Sequence, residues 1–115
     1  MNMSENPFIQ EARRRADLLI GSFNPGKAIN WFSKPGNKQR LMNLLKETGK
    51  YMSGGSTQQE VGEFWCGLNS SPEIKSFISC LDSGAHVLSR RGSNGDVYSI
   101  PVLHYVTLHF IYYYL

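Results

Sequence analysis

SSPEIKSFISCLDSGAHVLSRRGSNGDVYSIP, Ser70–Pro101, is the stretch on which the reading of this chain turns. Ser71 supplies a capping oxygen and Pro72 a pre-set φ, so a helix starts here. Ile74, Phe77, Ile78 and Leu81 then recur at i, i+3, i+4 and i+7, one apolar stripe. Lys75, Ser76 and Ser79 fall off that stripe, and Asp82-Ser83-Gly84 stops the helix, with Gly84 suited to a left-handed end. His86–Arg91 and Val97–Ile100 are β-prone runs on either side of Gly92-Ser93-Asn94-Gly95-Asp96, which predicts a hairpin.

Upstream, two more helices are expected. Asn37–Gly49 would bury Leu41, Met42, Leu44 and Leu45, capped by Asn37 and ended by Gly49. Thr57–Leu68 carries Val61, Phe64, Trp65 and Leu68 at helical spacing, and Glu60 completes a capping box. Gly67–Ser70 is the turn between this helix and the one at Ser71, a helix-turn-helix pattern.

Residues 37–101 thus give helix, helix, helix, hairpin, an order that resembles the winged-helix superfamily. The resemblance implies a mainly α fold with a small antiparallel β-hairpin. It implies that the Ser71–Leu81 helix enters a DNA groove and presents Lys75, Ser76 and Ser79. Arg90 and Arg91 would flank the wing, with Ser93 and Asn94 at its tip, so these seven residues form the expected nucleic-acid site. Cations neutralise phosphates and short polar side chains supply hydrogen bonds. Two departures stand out: this helix holds one cation against the acids Glu73 and Asp82, and it lacks the arginine or glutamine that commonly reads base edges.

Around that core, residues 1–36 are expected to add an N-terminal helix and a turn-rich connection, and residues 102–115 an apolar C-terminal strand or helix. Met1–Glu5 are expected to be loose. Pro7–Ile20 reads as a helix with Ile9, Ala12, Ala16, Leu19 and Ile20 on one side and Arg13, Arg14 and Arg15 across the others, a solvated face before a phosphate contact. Asn6-Pro7-Phe8 matches a short peptide motif that certain adaptor domains bind. Asn24-Pro25-Gly26 and Lys34-Pro35-Gly36 mark turns around a short helix, where Trp31 and Phe32 anchor a core or, beside Lys27 and Lys34, stack on bases. VLHYVTLHFIYYYL, from Val102, has almost no polar face. As a strand or a helix it needs cover, from the N-terminal helix, a second subunit or another protein.

Composition bounds the function. With 115 residues, 41% hydrophobic and 12% aromatic, the chain is long and apolar enough for one folded domain. A net charge of +3 permits a polyanion partner without requiring one. Cys66 and Cys80 make neither a disulfide framework nor a zinc site and read as small buried thiols. His104 and His109, five apart, fit no metal-ligand spacing and read as core or edge histidines. There is no phosphate-binding Gly-rich loop with a lysine, no GxSxG and no CxxC, so neither an enzyme nor a cofactor is expected. Arg13–Arg15 precede any apolar run, and the C-terminal run falls short of a span, so no signal peptide or membrane span is expected and the location is read as intracellular, cytoplasmic or nuclear.

Three functions follow as expectations. The first is a small basic regulator of transcription, a mobile element or a virus that binds duplex DNA. The second is a protein-interaction module, homodimeric or with another protein, that uses the aromatic surface and binds no nucleic acid. The third, weaker because its parts are far apart in sequence, is a membrane-surface protein using the N-terminal arginines and C-terminal aromatics.

Overall fold

A computed structural model describes residues 6–82, 84, 88 and 97–114. They form six helices: α1 Pro7–Ile20, α2 Pro25–Phe32, α3 Asn37–Gly49, α4 Gln58–Asn69, α5 Pro72–Ser79 and α6 Ser99–Tyr114.

Three of these helices begin in the same way. A short polar side chain sits at the N-cap and proline follows, so one free N–H is capped and the proline has none to lose. Asn6 Oδ1 accepts from Ile9 N at 2.8 Å, Asn24 Oδ1 from Lys27 N at 3.1 Å, and Ser71 Oγ from Ile74 N at 3.3 Å. Asn6-Pro7-Phe8 is therefore spent locally as a helix start, and Phe8 stacks on Tyr98 at 4.9 Å. The expected capping box at α4 is present: Glu60 N donates to Thr57 Oγ1 and Thr57 N to the Glu60 carboxylate.

The hairpin is a correction. No strand occurs among the described residues, whose regular elements are all helices where a mainly α fold with a wing was expected. Of the second expected strand, Val97 and Tyr98 form a turn and Ser99-Ile100 open α6. Pro101 is the reason. A proline ends a strand, but in the first turn of a helix its missing N–H costs nothing, because that N–H has no carbonyl to reach. Val102 N then donates to the Tyr98 carbonyl at 2.8 Å and the helix runs on. Of the first expected strand only Leu88 is described; it is helical and buried. The rest of that strand, the loop with Ser93 and Asn94, Arg90 and Arg91, and Met1–Glu5 lie outside the described residues.

α6 is the centre of the molecule. Ile100, Leu103, Val106 and Phe110 have no exposed surface. Phe8 of α1 meets Tyr98, while Phe23, just past α1, meets Tyr114, so α1 and α6 run side by side in the same direction. α3 lies on the other side, its Thr48 hydroxyl 2.9 Å from His104 Nδ1. Phe110 is ringed by Phe23, Trp31, Phe32, Phe77 and Tyr114, with ring centroids 4.9–5.8 Å apart. Trp31 is fixed there by Nε1–H donating to the Glu73 carbonyl at 2.9 Å. Being buried, it forms no stacking platform for bases, and Ile29 of the same helix is exposed instead.

Smaller expectations also shift. α3 buries Leu41, Leu44 and Thr48, whereas Met42 is exposed. Asn37 is not the cap of α3. It is buried within the first turn, where its Nδ2 donates to the Trp31 carbonyl at 2.7 Å; Gly36, at φ 84, makes the entry. Cys80 is buried as expected, but Cys66 is exposed. Gly84 is helical and not left-handed; a Cβ there would lie 2.5 Å from Ser22 Oγ, so the glycine allows close approach to the end of α1. The left-handed residue is Asp82, φ 51, whose carboxylate takes hydrogen bonds from Lys27 Nζ at 2.6 Å and Asn24 Nδ2 at 3.0 Å.

Candidate functional site

The residues expected to bind nucleic acid divide into two groups. Lys75, Ser76 and Ser79 are exposed on the outer face of α5, because Ile74, Phe77 and Ile78 turn the opposite face inward. The Ser79 hydroxyl is occupied locally, donating to the Ser76 carbonyl at 2.6 Å. Arg90, Arg91, Ser93 and Asn94 lie outside the described residues. The flap that was to stand beside α5 loses its second strand to α6, so the expected β-hairpin wing is not present among the described residues.

A different surface emerges from α6. Its inner stripe faces the core through Leu103, Val106, Thr107 and Phe110. On the opposite side Tyr105, Leu108, His109 and Tyr112 recur at i, i+3, i+4 and i+7, a second stripe at helical spacing. Leu108 is 44% and Tyr112 82% exposed; Tyr105 and His109 are half-buried. One helix thus has two apolar faces, and the fold covers only one.

α1 supplies the other wall. Ala12, Ala16 and Leu19 are its buried face, and the small alanines let it lie close to α6. A quarter-turn round, Arg13, Asp17 and Ile20 face the second stripe. The seven residues line an open groove of about 230 Å³. The Arg13 guanidinium lies 5.1 Å from the centre of the Tyr105 ring, close enough for a cation–π contact. His109 leans on Tyr113 at 4.5 Å; burial pushes its pKa below the ordinary value, and the nearby Asp17 carboxylate opposes that shift.

Among the described residues, this groove carries one charge of each sign. Glu11 does not add to it. It faces away, bonded to Arg14 Nη2 and Arg15 Nε, both at 2.7 Å, and these guanidinium groups hold its carboxyl at about 2. Arg15 also lies 4.1 Å over the Tyr98 ring. All three N-terminal arginines therefore have partners, Arg14 on α1 itself, Arg13 on α6 and Arg15 on both Glu11 and Tyr98. Among the described residues no cluster of three His, Cys, Asp or Glu side chains could hold a metal ion, and no helix is long and apolar enough to cross a membrane.

The signal for the groove was present in the sequence as a run with almost no polar face. What could not be read was which of its residues the core would take. Comparison of the chain with protein-family models, with curated proteins and with solved structures finds no match in any of the three.

Proposed function

We propose that this protein is a protein-interaction module with no catalytic chemistry of its own, and that its contact surface is the groove between α1 and α6. One observation carries the reading: α6, the helix that forms the centre of the core, has a second stripe, in which Leu108 and Tyr112 are exposed and Tyr105 and His109 only half-buried. Exposing tyrosine and leucine side by side has no benefit for the isolated fold, and aromatic residues of this kind are enriched where protein partners dock. Among the described residues the groove's one cation and one anion sum to zero, so these residues supply no net charge to draw a phosphate backbone. The duplex-DNA reading needed α5 and a basic flap to act together, and it keeps only Lys75, Ser76 and Ser79 among the described residues.

A photoreactive amino acid in place of Tyr112, with a second variant carrying it at exposed Lys46 of α3, tests the reading in cells expressing the chain. Discrete covalent adducts from position 112 and none from position 46 are expected. No adducts, or the same adducts from both positions, would overturn it. Fluorescence anisotropy with a DNA duplex forms the second arm. Binding that falls steeply between about 50 and 200 mM salt, and that Lys75→Ala weakens, would replace the interaction module with a nucleic-acid-binding protein.

A further inference from the structure

We infer that the occupant of the α1–α6 groove is the same groove of a second copy, docked about a two-fold axis that sets Arg13 of each copy against Asp17 of the other. The inference rests on the interaction-module reading and names its partner.

An isologous contact requires a patch that is complementary to itself. Arg13 and Asp17 are one turn apart on α1, roughly 6 Å along its axis, and both are exposed at the groove. A dyad perpendicular to α1 and midway between them carries Arg13 onto the level of the other copy's Asp17. The operation is reciprocal, so one interface contains the pair twice. A partner surface of single sign would attract one of these residues and repel the other.

The same axis suits α6. That helix runs parallel to α1, with Tyr105 at the level of Arg13 and His109 at the level of Asp17. The dyad therefore lays Tyr105 of one copy across the Leu108–His109 level of the other. Apolar side chains meet along the α6 seam, and the ion pairs lie on the α1 side.

The area is of the right order. Helices of 14 and 16 residues are roughly 21 and 24 Å long, and side by side they make a plate of roughly 400 Å² in projection. The relief of the tyrosines brings its accessible surface toward the approximately 800 Å² that each partner of a stable complex buries.

Sedimentation equilibrium over a concentration series to about 0.1 mM, a range that covers micromolar dissociation constants, reads the mass directly. The expected species is twice the 13.0 kDa chain. Arg13→Asp and Asp17→Arg alone each place like charges together and should weaken the dimer at least about tenfold. The double exchange restores opposite charges and should return the dissociation constant to within about threefold of the parent. Circular dichroism of each variant checks the helices. A parent that stays monomeric, or a double exchange that fails to rescue, would overturn the inference; so would a dimer that none of the variants disturbs.

The crosslinking experiment separates the two levels. Adducts from position 112 at the mass of two chains support both. Adducts only at other masses, with a monomeric parent, leave the interaction module standing and remove the second copy. No adducts and a monomeric parent remove both.

Discussion

Replacing Phe110 by alanine tests the claim that the C-terminal segment is the core of this fold and not a detachable tail. Phe110 has no exposed surface and touches five aromatic rings from α2, α5, the α1–α2 turn and its own helix. Deleting the ring forfeits the burial of roughly 100 Å² of apolar surface, about 2.5 kcal/mol at about 25 cal/mol per Å². The cavity left behind adds to this. A ring-sized void of roughly 70 Å³, at about 24 cal/mol per Å³, would cost about 1.7 kcal/mol if nothing collapsed into it. The sum is about 4 kcal/mol, within the range known for buried Phe→Ala changes. A chain of this length is held by roughly 6–17 kcal/mol in total, so the loss is a large share of it. Urea unfolding followed by far-UV circular dichroism should show the midpoint falling by roughly 2–3 M, taking a slope of about 1.5 kcal/mol per M. Leu18→Ala on α1, 68% exposed, is the control and should stay within about 0.5 kcal/mol of the parent. A Phe110→Ala loss below about 1.5 kcal/mol, or one no larger than the control's, would refute the placement of α6 at the centre. The same reasoning predicts that a chain lacking Val102–Leu115 does not fold, so such a truncation cannot report on the interface.

Further predictions follow from single groups. Thr107 Oγ1 is buried without a hydrogen-bond partner among the described residues, and Thr107→Val removes that hydroxyl while keeping the shape, so stability should rise by about 1 kcal/mol; a loss in urea unfolding would mean the hydroxyl is satisfied. Burial lowers the pKa of His104, beneath α3, below the ordinary 6.5, and the Leu45 carbonyl opposes this only in part; burial likewise lowers His109. The fold therefore favours the neutral rings, so their contribution is complete above pH 6.5 and is lost as pH falls from there through the folded-state values. Urea midpoints at pH 7.5 and 5.5 should differ in that direction, and the His104→Gln variant should show a smaller difference; an equal difference would assign the effect elsewhere. Burial pushes the Cys80 thiol up to about 11, whereas Cys66 is exposed. Under native conditions a maleimide should modify Cys66 and spare Cys80, and both should react after unfolding, as read by mass spectrometry; native modification of Cys80 would show that the end of α5 is not buried in the core.

Much of the helical skeleton was legible from local chemistry. Asn6-Pro7, Thr57 with Glu60, and Ser71-Pro72 mark helix starts by the hydrogen bonds they make within four residues, and Ile74, Phe77, Ile78 and Leu81 mark a buried face by spacing alone. Val97–Ile100 misled because β-branched and aromatic residues before a proline look alike at the end of a strand and at the start of a helix. The candidate site was legible only as a composition. Val102–Leu115 announced a need for cover, without saying which side would receive it.

The sequence by itself determined where most helices begin and which stripes on α1, α4 and α5 turn inward, because caps and 3.6-residue spacing act over a few residues. Only the tertiary structure decided that α6 is a helix, that α1 and α3 flank it, and that Tyr105, Leu108, His109 and Tyr112 are left outside. A segment apolar on every side has no preferred face of its own. Its orientation is set by the volumes that Phe23, Trp31, Phe32 and Phe77 leave around Phe110, and those residues lie 33 or more positions away in the chain.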